Sequence, residues 1–185
     1  MFDSLRETAK NIKIMAFDVD GVMTNGSLTF DENGVEYKTY NAKDGQGIQL
    51  LHKAGIIPAI ITKRKNGTVQ YRAKILCIKE FHEGVQDKLK VLQEIAEKYN
   101  VSTSEISYMG DDVPDVCVLK EVGLPCCPKD AVDEVKNYAK FVIDMSSYFR
   151  QKEGVPLVIP EINANTITKD TWLIASPNCT VTGLV

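Results

Sequence analysis

The chain has 185 residues, 44% hydrophobic and 25% charged, ordinary values for a globular protein that exclude a wholly disordered polymer. A formal net charge of −3 argues against a general nucleic-acid or membrane-surface binder, because both partners are polyanions. No apolar run reaches the ~18–20 residues of a membrane span, and Met1–Lys10 mixes charges of both signs without a secretory core, so a cytoplasmic protein is expected.

In chain order, Lys13–Phe17 is a short apolar run ending at acidic residues, the pattern of a buried strand. Ser27–Tyr40 alternates around Asn33-Gly34 and predicts a β-hairpin. Gly45–Ala54 has apolar residues at helical spacing, and Ile56–Ile61 reads as a second buried strand. Thr68–Leu76 predicts a helix, Glu80–His82 a short strand, and Asp87–Tyr99 an amphipathic helix with Leu89, Leu92, Ile95 and Ala96 on one face. A capping-box pattern at Ser102–Glu105 precedes a third core strand, Ile106–Met109. Asp115–Val122 and Ala131–Ala139 predict two more helices. Strands alternating with helices argue for an α/β fold with a parallel sheet. Five cysteines without a CxxC pair, beside two histidines, predict free thiols and no zinc site.

Two acidic clusters follow apolar strands. One is Asp18-Val19-Asp20, the other Gly110-Asp111-Asp112 with Asp115 close behind. In an open α/β sheet, the carboxyl ends of neighbouring strands converge on one crevice. Carboxylates gathered there repel unless a hard cation neutralises them, and oxygen-only ligands suit Mg²⁺. An aspartate beside such an ion can attack phosphorus, and a second one two residues on can move the proton. Asp18 and Asp20 have that spacing. Thr62, just past the second strand, offers a hydroxyl and a backbone N–H, and Lys88 at a helix start offers an ammonium for the phosphate. Each residue alone has a plain reading as a turn, a surface loop or a solvated charge. Their joint order, D-x-D, Thr, Lys, GDD, each after a strand, points to metal-dependent phosphoryl transfer.

Residues 12–140 resemble the haloacid dehalogenase superfamily, and within it the 3-deoxy-D-manno-octulosonate 8-phosphate phosphatase family. The resemblance rests on FDVDGVMTNG (17–26), the DENG hairpin, NAKDGQGIQLL (41–51), AIITKRK (59–65), QYRAKILCI (70–78), EGVQDKL (83–89) and SYMGDDVPD (107–115). It implies a three-layer, Rossmann-like α/β fold with a parallel sheet, capless, with a β-hairpin inserted after the first strand. It implies that Asp18 is the nucleophile and a metal ligand, that Asp20 is the acid/base and binds Mg²⁺ through its carbonyl, and that Asp111 is a ligand supported by Asp112 or Asp115. Thr62 and Lys88 would hold the phosphate, and Asn41, Lys43, Asp44, Gly45, Arg64 and Arg72 the sugar acid. It further implies a homotetramer in which the hairpin packs on neighbours, with Phe30, Tyr37 and Tyr40 on the covered side. A hairpin folded onto its own domain is the alternative. The substrate would be a small sugar-acid phosphate of lipopolysaccharide synthesis. A related nonulosonate 9-phosphate, and a non-catalytic assembly module, are the other readings. The family has glycine where this chain has Lys63, which either strains the loop or adds charge beside the phosphate.

Beyond residue 143 the family pattern is lost, and charge thins to 3 basic and 4 acidic side chains over residues 141–185. Phe141-Val142-Ile143 still fits a last strand. FVIDMSSYFRQKEGVPLVIPEIN (141–163) and LIASPNCT (173–180) resemble a fragment of aspartate-semialdehyde dehydrogenase, with Arg150 and Cys179 at its binding and nucleophile positions. The expectation is therefore a phosphatase domain over 1–143 and an atypical tail over 144–185. With no Gly-x-Gly-x-x-Gly fingerprint and no histidine after His82, the tail cannot supply oxidoreductase chemistry.

Overall fold

Four residues, Ile14–Phe17, form the central strand β1, with Ile14 and Ala16 fully buried. The computed structural model describes residues 7–139 and the strand segments 141–144 and 173–175. After β1 come the hairpin strands β2 (Thr29–Phe30) and β3 (Glu36–Tyr37), then α1 (Ala42–Lys53) and β4 (Ile57–Ile61). The chain continues through α2 (Gly67–Ile75), β5 (Glu80–His82), α3 (Lys88–Tyr99), β6 (Ile106–Met109) and α4 (Val116–Leu119). It closes with β7 (Leu124–Pro128), α5 (Asp133–Lys136), β8 (Phe141–Asp144) and β9 (Leu173–Ala175).

The main sheet has seven strands in the order β5-β4-β1-β6-β7-β8-β9, and every pairing in it is parallel. Because β1 lies between β4 and β6, the segments that follow those three strands open side by side at one end. Side chains of a strand alternate between faces, and β4 shows the result. Ala59 and Ile61 pack with Ile14, Leu92, Ile95 and Leu119 on one face, while Ile60 packs with Val19, Ile48, Val69 and Ala73 on the other. Helices α1 and α2 thus cover one face and α3 to α5 the other, the three layers expected. No described helix is long and apolar enough to cross a membrane.

The hairpin pairs Thr29 with Tyr37 and Phe30 with Glu36, and Gly34 turns it at φ +78°. A positive φ there suits glycine, as the Asn-Gly signal predicts. Phe30 and Tyr37 are about half exposed, so the hairpin does not bury them on its own domain; Tyr40 packs partly against the α1–α2 side of the core.

Four elements differ from expectation, one of them the helix expected over Asp115–Val122, of which only Val116–Leu119 is helical because Asp115 belongs to the preceding 3-10 turn. Helix α1 starts before Gly45, at Ala42, because the Asn41 side chain accepts from Lys43 N at 3.0 Å and caps it. The helix expected over Ala131–Ala139 shortens to one turn, whose N-cap, Val132, has no side-chain oxygen to offer. Strand β7 escaped the sequence reading because Pro125 and Pro128 interrupt it and proline lacks a ladder donor. At the far edge, β9 pairs with β8 in the register Val142 to Leu173. The segment read as a tail therefore returns a strand to the same sheet.

Candidate active site

Asp18 is the first residue beyond β1. Its Oδ1 accepts from Val19 N at 2.7 Å, and its Oδ2 meets Lys88 Nζ at 2.8 Å. Lys88 opens α3, where the Asp87 side chain accepts from Lys90 N at 3.0 Å and caps the helix. The Lys88 ammonium also donates to Asp115 Oδ1 at 2.6 Å and is almost completely buried. Burial works against its charge, but Asp18 and Asp115 outweigh that and hold its pKa above the ordinary lysine value. Burial raises the Asp18 pKa, while Lys88 opposes the rise.

Asp115 is fully committed. Its Oδ1 also accepts from the Tyr108 hydroxyl at 2.7 Å, and its Oδ2 accepts from Asp111 N at 3.0 Å and Asp112 N at 3.3 Å. It therefore shapes the loop after β6 and orients Lys88. Asp112 turns its own side chain to Val113 N at 2.7 Å and caps a short 3-10 turn. Asp111 is the uncommitted carboxylate. Its Oδ1 is buried without a hydrogen-bond partner. Burial, then Asp18, Asp115 and Asp112, push its pKa up to about 7. Gly21, at φ +83°, lies against this carboxylate, and a Cβ there would collide with it.

Oxygens of Asp18, Asp111 and Asp115 fall within 4.8 Å of one another. The donor set is oxygen-only, and one buried oxygen lacks any other partner. The residues fit a hard divalent cation, held chiefly by Asp18 and Asp111. The Asp20 carboxylate stands apart from this trio. It contacts Lys38 Nζ, and Arg64 Nε lies 4.0 Å from its other oxygen.

A cavity of about 320 Å³ joins Asp18, Asp20, Thr62, Arg64, Lys88 and Asp111. The expectation for Thr62 needs one correction. Its backbone N–H donates to His82 O at 2.9 Å, extending the sheet ladder, so only the hydroxyl is left for a phosphate. Lys63 also lines this cavity. Among described non-glycine residues only Cys77 and Asn100 have positive φ, so Lys63 adds charge rather than strain.

The residues expected to hold a sugar acid are divided. Arg64 faces the cavity that holds Asp18, while Asn41 and Asp44 line a neighbouring one of about 670 Å³ that shares Gly21 with it. Lys43 is exposed, and Gly45 is buried against Arg72. Arg72 lines neither cavity; its Nη2 donates to Asn41 O at 3.0 Å, and its guanidinium lies 5.6 Å from the Tyr40 ring centre. Sequence reasoning missed Lys38, Glu36 and Tyr108. Glu36 and Lys38 are two apart in the alternating stretch Val35–Tyr40, a spacing that puts both on one side of an extended arm, and a tyrosine inside an apolar strand needs a hydroxyl partner.

Fold and site together define a haloacid dehalogenase-like hydrolase, and the family model of that description matches residues 78–155. Within that class, the chain belongs to the 3-deoxy-D-manno-octulosonate 8-phosphate phosphatase family. It is 36% identical to the phosphatase of Yersinia pestis over 129 residues, 70% of this chain and 69% of that relative. It is 37% identical to the Escherichia coli phosphatase over 123 residues, 66% of this chain and 65% of that relative, so the chain spans just under two thirds of the E. coli protein. The crystal structure of the Moraxella catarrhalis phosphatase, in complex with magnesium ion, phosphate ion and KDO, matches with a TM-score of 0.76. Its identity is 32%, covering 78% of this chain and 83% of that one.

The resemblance of residues 141–180 to aspartate-semialdehyde dehydrogenase is not borne out. The hydrolase family model continues through residue 155, across the start of that stretch. Arg150 and Cys179 lie outside the described residues.

Proposed function

We propose that this chain is a Mg²⁺-dependent phosphatase acting on 3-deoxy-D-manno-octulosonate 8-phosphate in lipopolysaccharide precursor synthesis. The observation that carries the proposal is one cavity holding a lysine-paired aspartate, Asp18, beside an uncommitted carboxylate, Asp111. The relative of known structure that holds magnesium, phosphate and KDO supports the choice of ion and substrate.

Asp18 attacks phosphorus. A bond forms between its carboxylate oxygen and phosphorus as the bond to the sugar oxygen breaks. Asp20 gives that departing oxygen a proton, then takes one from the water that hydrolyses the phosphoaspartate. Lys88 and the Thr62 hydroxyl hold the non-bridging oxygens, and Arg64 meets the sugar acid. Asp18, Asp111 and the Asp20 carbonyl would hold Mg²⁺, which would supply positive charge for the transferring phosphoryl group. Asp112 and Asp115 support that loop, while Asn41, Lys43, Asp44, Gly45 and Arg72 shape the sugar side. We assign catalysis to residues 1–143, because every residue with a role precedes that point. A cytoplasmic homotetramer completes the proposal, supported by the exposed hairpin residues Leu28, Phe30, Val35 and Tyr37.

Phosphate release by the purified chain with Mg²⁺ tests the reading, with 3-deoxy-D-manno-octulosonate 8-phosphate compared against a nonulosonate 9-phosphate. The eight-carbon substrate should be preferred, and Asp18→Asn should show no turnover on either. Turnover retained by Asp18→Asn overturns the mechanism, and preference for the nine-carbon substrate overturns the assignment.

A further inference from the structure

The hairpin places a buried cation directly on Asp20. Lys38, just after β3, has a side chain only 1% exposed. Its ammonium contacts Asp20 Oδ1 and reaches Glu36 Oε1 at 3.0 Å. Arg64 completes the group from the loop after β4. Its Nη2 donates to Glu36 Oε2 at 2.8 Å, and its Nε lies 4.0 Å from Asp20 Oδ2. Two carboxylates and two cations thus form one neutral quartet, with Glu36 as the shared anchor.

A lysine buried this deeply is costly unless its ammonium is paired. Here one partner is a residue of the cavity and the other belongs to the hairpin. The Asp20 carboxylate is apart from the Asp18–Asp111–Asp115 trio, and its polar contacts among the described residues come from Lys38 and Arg64. Arg64 is 42% exposed and faces the cavity, whereas Lys38 is enclosed. A proton donor must stay within hydrogen-bond reach of one atom, the departing oxygen. The enclosed partner can fix that orientation while the exposed one stays available to substrate.

We propose that Lys38 is a positioning residue for the acid/base, anchored by Glu36, so that the seating of the hairpin sets the orientation of Asp20. The inference rests on Asp20 as the proton donor of the proposed phosphatase reaction.

The test compares two leaving groups using kcat/KM, which reports steps through departure of the alcohol and not the later hydrolysis. The sugar-acid phosphate needs a proton on its leaving alkoxide, whereas p-nitrophenyl phosphate releases a stable phenolate. Lys38→Met should lower kcat/KM on the sugar phosphate by about a hundredfold, the low end of general-acid contributions, and on the aryl phosphate by less than about threefold. Asp20→Asn should show the same split, at least as large. Combining Lys38→Met with Asp20→Asn should slow the enzyme no further than Asp20→Asn alone, because Lys38 acts through Asp20. Should Lys38→Met fail to fold, Lys38→Gln keeps a donor and should give the same split at smaller size.

Equal losses on both substrates make Lys38 a purely structural ion pair and overturn the inference, as does no loss on either or an additive double variant. If Asp20→Asn itself shows no split, the acid/base reading fails with it. A split for Asp20→Asn without one for either Lys38 variant overturns the positioning role alone.

Discussion

In Asp111 one oxygen is buried without a partner, and Asp18, Asp115 and Asp112 surround the carboxyl with like charge. The group therefore holds its proton up to about pH 7 in the absence of a cation. A divalent ion must displace that proton, so binding should release it and weaken in acid. Calorimetric titration of the metal-free chain with Mg²⁺ should show affinity falling roughly tenfold for each pH unit below that pKa. The sign on stability follows the same shift. The folded pKa lies above the unfolded value of 3.8, so the carboxyl's contribution is full below that value and lost as pH rises through about 7. Mg²⁺ should accordingly raise the melting temperature more at about pH 8 than at about pH 6, because only the deprotonated site is free to take it. A larger rise in acid, or pH-independent affinity, would contradict this account of Asp111.

The position of Lys88 depends on one helix end. Asp87 caps α3, the next residue is the buried lysine, and Leu92, Ile95 and Ala96 fix the rest of the helix to the core. Asp87→Ala should cost about 1 kcal/mol of stability by urea denaturation, the ordinary worth of an N-cap. Fraying there should also raise KM for phosphate esters, because Lys88 sits in the first turn. The helix itself was plain in the sequence, since a long amphipathic pattern after a cap residue has few rivals. So were β1, β4 and β6, which lead into the residues proposed to carry the chemistry. The legible part of the site is the part lying directly after buried strands, where chain order alone places Asp18, Thr62 and Asp111 together. Less legible were contacts made across the fold. Nothing in the local pattern shows that the Thr62 N–H goes to His82, or that Arg72 turns to the Asn41 carbonyl instead of the cavity. Lys38 reached Asp20 through an insertion whose strands are only two residues each. Strand β7 was hidden by its prolines, and β9 by its distance along the chain from its partner.

At the scale of the molecule, the site lies at the open end of the sheet, and among described residues the hairpin is the only element inserted between β1 and α1. That hairpin has two different sides. Its Glu36 and Lys38 are drawn inward by Arg64 and Asp20, while Leu28, Phe30, Val35 and Tyr37 each stay about half exposed. Four half-exposed apolar side chains on one short insertion support its place in the proposed subunit contact. In the proposed tetramer, neighbours cover these side chains and hold the hairpin against the catalytic loop. Leu28, just before β2, and Phe30 are both half-exposed side chains of the hairpin, so Leu28→Glu combined with Phe30→Glu places two charges in the proposed contact without touching Lys38. Light scattering on the full chain should then find monomers or dimers in place of tetramers. Turnover of the sugar phosphate should fall in step, by roughly tenfold or more if assembly seats the general acid. A variant that stays tetrameric removes the hairpin from the interface. One that dissociates at full activity shows instead that the quartet of Glu36, Lys38, Arg64 and Asp20 holds the hairpin without help from neighbours.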